Sequence, residues 1–130
     1  DVFYVDCRVL PHISLDAVEK AIRALGAEVE ATHGVRLEYE PVQREQAAPA
    51  TPVDSDVVRL LLAAIRDEYR VQAKPEGIGG GTVAAFLRRR GYPAAVWSTL
   101  VGNAHQPNER SRISFTLGDA KVMARVLFSA

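Results

Sequence analysis

The run GIGGGTVAAFLRRRGYPAAVWSTLVGNAHQPNE, Gly77 to Glu109, is the stretch whose reading decides the fold. A glycine-rich turn leads into a helical pattern with Val83, Phe86 and Leu87 inward. Arg88 to Arg90 close its last turn, where positive charge complements the helix dipole. Gly91 stops this helix and Tyr92-Pro93 turns the chain. Ala94 to Ser98 is then short and nearly all apolar, as expected of a strand buried on both faces. A helix followed by a buried strand points to an α/β layer. His105, in the run AHQPNE that follows Thr99 to Asn103, is expected at the carboxyl end of a sheet strand, where α/β proteins build their sites.

Upstream the pattern differs. Val2 to Leu10 alternate, with Phe3, Val5, Cys7 and Val9 on one face and Tyr4, Asp6 and Arg8 on the other, which is the period of a strand. On this alternation Cys7 reads as a small core residue. Pro11 ends the strand, and Ser14 is placed to cap a helix whose apolar stripe is Leu15, Val18, Ile22, Leu25 and Val29, with Gly34 as its stop. Val35 to Glu40 alternate again. Strand, helix and strand make a βαβ unit, expected to be right-handed and parallel, within an α+β half. The prolines of Gln46 to Pro52 mark a connection between domains. The expected division is residues 1–46 and 47–130.

Past this boundary Asp54 or Ser55 can cap a helix carrying Val57, Val58, Leu61, Leu62, Ile65 and Tyr69. The last helix reads as capped by Thr116, with Asp119 three residues on as in a capping box and Val122, Met123, Val126 and Leu127 inward.

Sixteen basic residues balance sixteen acidic ones, so no global field draws the chain to nucleic acid or to an anionic membrane. One cysteine cannot form an internal disulfide, and no signal peptide or long apolar span is seen, which reads as a cytoplasmic protein. The chain opens at Asp1 directly on a strand-like pattern, and so reads as a piece of something longer.

Imidazole at His105 suits a metal ion or proton transfer, and the other reading is a surface-loop histidine bonded to a carbonyl. Asn108 and Glu109 can orient a ligand, or serve only as turn and cap residues. Three glycines before Thr82 either expose amides to an anionic group or simply let two backbones touch. They do not form a dinucleotide fingerprint, because Thr82 takes the third glycine's place, and no Lys follows as a phosphate loop requires. Asp6 and Arg8 share a strand face as a surface pair or a substrate contact. His12 and His33 read as structural.

GIGGGTVAAFLRRRGYPAAVW followed by AHQPNE resembles the carboxyl-terminal part of the acetylornithine deacetylase, succinyl-diaminopimelate desuccinylase and aminoacylase family of dinuclear zinc peptidases. The first half, with DCRVLP and the helix after it, resembles the end of that family's lid and dimerisation domain. The resemblance implies an α/β catalytic domain portion preceded by part of a ferredoxin-like α+β lid. It also implies two zinc ions, with cobalt or manganese as substitutes, and hydrolysis of the amide bond of N-acyl amino acids or small peptides by a homodimer joined through its lids.

His105 matches the family's last metal ligand. Gly80, Gly81 and Thr82 match a loop lining the substrate pocket, and Asn108 and Glu109 match residues that shape the histidine loop. Val83 stands where members often carry an acidic residue. The family's His-x-Asp motif, bridging aspartate and adjacent glutamate pair, one of them the general base, match nothing in this sequence. A dinuclear site needs bridging carboxylates to hold its ions roughly 3.5–4 Å apart, so the chain alone is expected to be inactive. A competing expectation is a non-catalytic α+β interaction or dimerisation module.

Overall fold

The computed structural model describes residues 1–129. They form two units, one of residues 1–49 with 79–81 and the other of residues 50–78 with 82–129. Four helices lie among the described residues: α1 (Leu15–His33), α2 (Asp56–Tyr69), α3 (Ala84–Arg89) and α4 (Ile113–Ser129).

In the first unit α1 is bounded as its caps dictate. The Asp16 amide donates to Ser14 Oγ at 3.2 Å, and Gly34, at φ 64°, returns its N–H to the Glu30 carbonyl. The segment after α1 folds back on it through side chains. Leu37 donates its amide to Glu30 Oε1 at 2.6 Å, and Arg23 lies over the Tyr39 ring, 4.9 Å from its centroid. Gln46 clamps the start of the helix, accepting from the Leu15 amide at 3.1 Å and donating to the Ile13 carbonyl at 2.9 Å. The Arg23 guanidinium beside Glu19 holds that carboxyl below its usual range, with Arg44 adding to the effect and slight burial opposing it.

No strand is present among the described residues. In the amino-terminal segment both alternating sets are exposed as far as Arg8, Phe3 at 76% and Tyr4 at 83%, and Val9 is half-buried. Alternation assigns residues to faces, but a ladder also needs a neighbouring backbone. Cys7 is exposed, which corrects its expected place in a core.

The second unit is built on the packing of α2 against α4. Ala64, Ile65 and Val122 form its buried centre, with Leu61, Tyr69, Trp97 and Val126 packed around them. Both helices present these residues at three- and four-residue steps, the spacing of an apolar stripe. At the edge, Glu68 of α2 meets Lys121 at 3.1 Å and Arg125 at 3.5 Å. The Lys121 hydrogen bond leads in lowering the Glu68 pKa, and burial opposes it.

Two caps differ from expectation. The Ser55 hydroxyl precedes α2 but donates to the Pro52 carbonyl at 2.7 Å instead of capping an amide. Thr116 is not the cap of α4, because the amides of Phe115 and Thr116 already close on the Arg112 carbonyl at 3.0 and 3.2 Å.

That earlier start turns Asp119 inward, in step with Phe115, Val122 and Val126. Its Oδ2 accepts from the Thr99 amide at 2.8 Å, and its Oδ1 accepts from the hydroxyls of Thr99 at 2.6 Å and Tyr69 at 2.7 Å. Burial pushes the Asp119 pKa up, but these donors outweigh it and the net direction is down. For Tyr69 the Thr99 hydroxyl pulls the pKa down, whereas burial and the adjoining Asp119 carboxylate raise it, and the net direction is up.

The Ala94 to Ser98 segment is therefore pinned by side chains. At one end the Ala94 amide and carbonyl both bond Thr51 Oγ1, at 3.1 and 2.6 Å. At the other Thr99 bonds Asp119, and in between Trp97 meets the Tyr69 ring edge-on at 5.7 Å. Burial on both faces is not found, since Val96 is 60% exposed. Within this unit the described core covers the segment on the Trp97 side only.

Gly118 marks how closely α4 meets Tyr69. A Cβ there would lie 2.3 Å from the Tyr69 oxygen and 2.8 Å from Cζ, and Trp97 and Asp119 hold the ring in place. Gly118→Ala is expected to cost about 1–3 kcal/mol, as overpacking does, read as a lower urea midpoint. An unchanged midpoint would mean that the ring is free to move. A second prediction concerns acid. Because the folded pKa of Asp119 lies below its ordinary 3.8, its contribution is complete above that range and is lost as pH falls through the folded value. The stability gap between wild type and Asp119→Asn should therefore be full at neutral pH and close at strongly acidic pH in parallel urea titrations.

Candidate functional site

Between the Thr99 anchor and α4 the chain makes a compact double turn. The Gln106 amide bonds the Asn103 carbonyl at 3.3 Å, and the Glu109 amide bonds the Gln106 carbonyl at 3.1 Å. Asn103 Nδ2 closes the base by donating to the Asn108 carbonyl at 3.1 Å. Three residues take positive φ: Gly102 at 82°, His105 at 60° and Asn108 at 61°. Glycine adopts this region freely and Asn tolerates it, whereas for His it is uncommon and costs of order 1 kcal/mol or more. The surrounding bonds hold His105 there.

Glu109 is the nearest of those constraints. Its Oε2 accepts from the His105 amide at 3.3 Å, so the carboxylate orients the histidine's backbone and leaves the imidazole exposed to solvent. Beside the loop is a cavity of about 280 Å³ lined by Thr99, Leu100, Val101, Asn103, Glu109 and Arg110 among others. His105, Asn108 and Glu109 thus meet in one loop of the second unit. Thr82 belongs to the same unit; the residue is half-buried, and its buried hydroxyl oxygen has no hydrogen-bond partner among the described residues. Gly80 and Gly81 belong to the first unit, where neighbouring Gly79 accepts from Arg8 Nη1 at 2.8 Å. Arg8 also pairs with exposed Asp6 at 3.0 Å.

Among the described residues no three His, Cys, Asp or Glu side chains gather into a group able to hold a metal ion. A hydrolytic metal needs three protein ligands or more. One exposed imidazole with one carboxylate already bonded to an amide does not meet that requirement, so the residues present do not fit a metal ion by themselves.

Asp119, Tyr69 and Thr99 were not singled out as a site by sequence. The available signal was an acidic residue on the inward stripe of α4, four residues after Phe115 and three before Val122, where an unpaired charge is costly.

None of the described helices is long and apolar enough to cross a membrane. No solved structure matches the chain. An uncharacterized metallohydrolase of Methanococcus maripaludis is 35% identical, over 94% of this chain and 32% of its own length. An uncharacterized metallohydrolase of Methanocaldococcus jannaschii is 33% identical, again over 94% of this chain and 32% of its own length. The chain thus spans about a third of the length of the curated relatives it matches. The model of peptidase family M20/M25/M40 matches residues 5–129, taking in all four helices and the His105 loop, and the chain belongs to that family.

Proposed function

We propose that this chain supplies the carboxyl-terminal part of a zinc-dependent metallohydrolase that cleaves the amide bond of N-acyl amino acids or small peptides. The observation that carries the proposal is the family match over residues 5–129, which includes the loop presenting His105. The metallohydrolase names of the two relatives support a metal-dependent activity. In this proposal His105 is one ligand and the others come from residues outside the chain. Asn108 and Glu109 hold the loop's shape, and Gly80, Gly81 and Thr82 line the substrate pocket.

The same proposal takes residues 1–46 as the second half of a ferredoxin-like lid joining two subunits and residues 47–130 as part of an α/β catalytic domain. Strands Val2 to Leu10, Val35 to Glu40 and Ala94 to Ser98 would then form once neighbouring strands are supplied. The compartment proposed is the cytoplasm. A second reading, a non-catalytic interaction module, is favoured by the exposed apolar run from Val2 to Val5.

Calorimetric titration of the 130-residue chain with zinc should show no tight binding, since one imidazole cannot supply a coordination shell. Nanomolar, proton-releasing uptake would mean that the chain builds a site of its own. In the intact protein His105→Ala should lose bound metal and lower turnover of an N-acyl amino acid by at least about 100-fold, more than an orienting partner alone accounts for. Unchanged metal content and turnover would sink the assignment and leave the interaction module standing. His105→Asn, which suits the left-handed backbone, serves as a control for loop shape.

A further inference from the structure

We propose that Asp119 is a positioning residue for the His105 loop, acting through Thr99, and this inference rests on the loop being part of the hydrolytic site. Thr99 is where the pinned segment ends and the loop begins, and it lines the same cavity as Asn103 and Glu109. Asp119 fixes both of its polar handles, taking the amide on Oδ2 and the hydroxyl on Oδ1. The Tyr69 hydroxyl completes the set, 2.7 Å from Oδ1 and 3.1 Å from the Thr99 oxygen.

The geometry demands a carboxylate. Three donors converge on two oxygens, and no cation pairs with Asp119 among the described residues. An amide at this position would aim an N–H₂ at donors on one side, and an alanine would leave the Thr99 amide without its acceptor and the two hydroxyls with only their longer contacts, Thr99 to Tyr69 at 3.1 Å and Tyr69 to the Phe115 carbonyl at 3.3 Å. The constraint then runs along a short path. Thr99 is held, Asn103 bonds the Asn108 carbonyl across the loop, and Glu109 bonds the His105 amide. Glu68, by contrast, ties α2 to α4 through Lys121 and Arg125 without touching the loop.

The test uses the intact protein, hydrogen exchange and steady-state hydrolysis of an N-acyl amino acid. Asp119→Asn and Thr99→Val should each speed exchange of the 99–109 amides by about tenfold, the population change from losing one charge-assisted hydrogen bond. Each should lower kcat by about tenfold to a hundredfold with little change in KM, as misplacement of a reacting group does. Thr99→Ser keeps both donors and should behave as wild type. Glu68→Gln should lower the melting temperature with neither effect.

Unchanged exchange at 99–109 in a folded Asp119→Asn or Thr99→Val protein overturns the proposal. So does faster exchange with kcat intact while His105→Ala is inactive. If Asp119→Asn does not fold, the Thr99 pair decides. If His105→Ala retains full turnover, the functional reading of the loop fails separately, and the claim that Asp119 positions a hydrolytic loop falls with it.

Discussion

One carboxylate, with three donors and no cation paired with it among the described residues, fixes the register of the second unit. Asp119 joins α4 to the end of α2 through Tyr69 and to the segment after Trp97 through Thr99. Withdrawing a carboxylate even partly from water is costly unless its oxygens are satisfied, and for half-buried Asp119 that cost makes the arrangement specific. Shifting α4 by one residue along its axis would carry the charge away from all three donors at once. The apolar contacts of Ile65 and Val122 tolerate some sliding, whereas this network does not.

Much of that was legible in sequence at the level of helices. Apolar stripes placed α1 and α2, and Ser14 and Gly34 marked the ends of α1, because capping and periodicity are local properties of the chain. Helix α4 was legible in its body and misread at its start. Thr116 and Asp119 have the spacing of a capping box, but the Arg112 carbonyl already closes the first turn, and the carboxylate expected in the cap turns inward instead. A local motif and a tertiary network competed for the same residue, and the network won.

The strand-like segments were legible only as patterns. Val2 to Leu10 have the right alternation, yet pairing is a relation between two backbones that no single segment encodes. Ala94 to Ser98 show another solution, since Thr51 and Asp119 satisfy the polar groups at the two ends of the segment from outside any sheet. The glycine run was ambiguous for a related reason, as Gly79 finds its partner in Arg8, some seventy positions away in the chain. At the candidate site His105, Asn108 and Glu109 were expected together from their spacing, whereas their backbone geometry was not visible in it.

The left-handed backbone at His105 shapes how this loop can change over generations. Among residues one base change away from a histidine codon, Asn and Asp accept a positive φ readily, whereas proline's ring forbids it. Drift to Asn would remove the imidazole and keep every turn of the loop, while drift to Pro would remove both together. Loss of chemistry and loss of shape are therefore separate mutational events at this position. A lineage can silence the loop while its fold persists, so an intact outline in a distant relative carries no information about whether it still works.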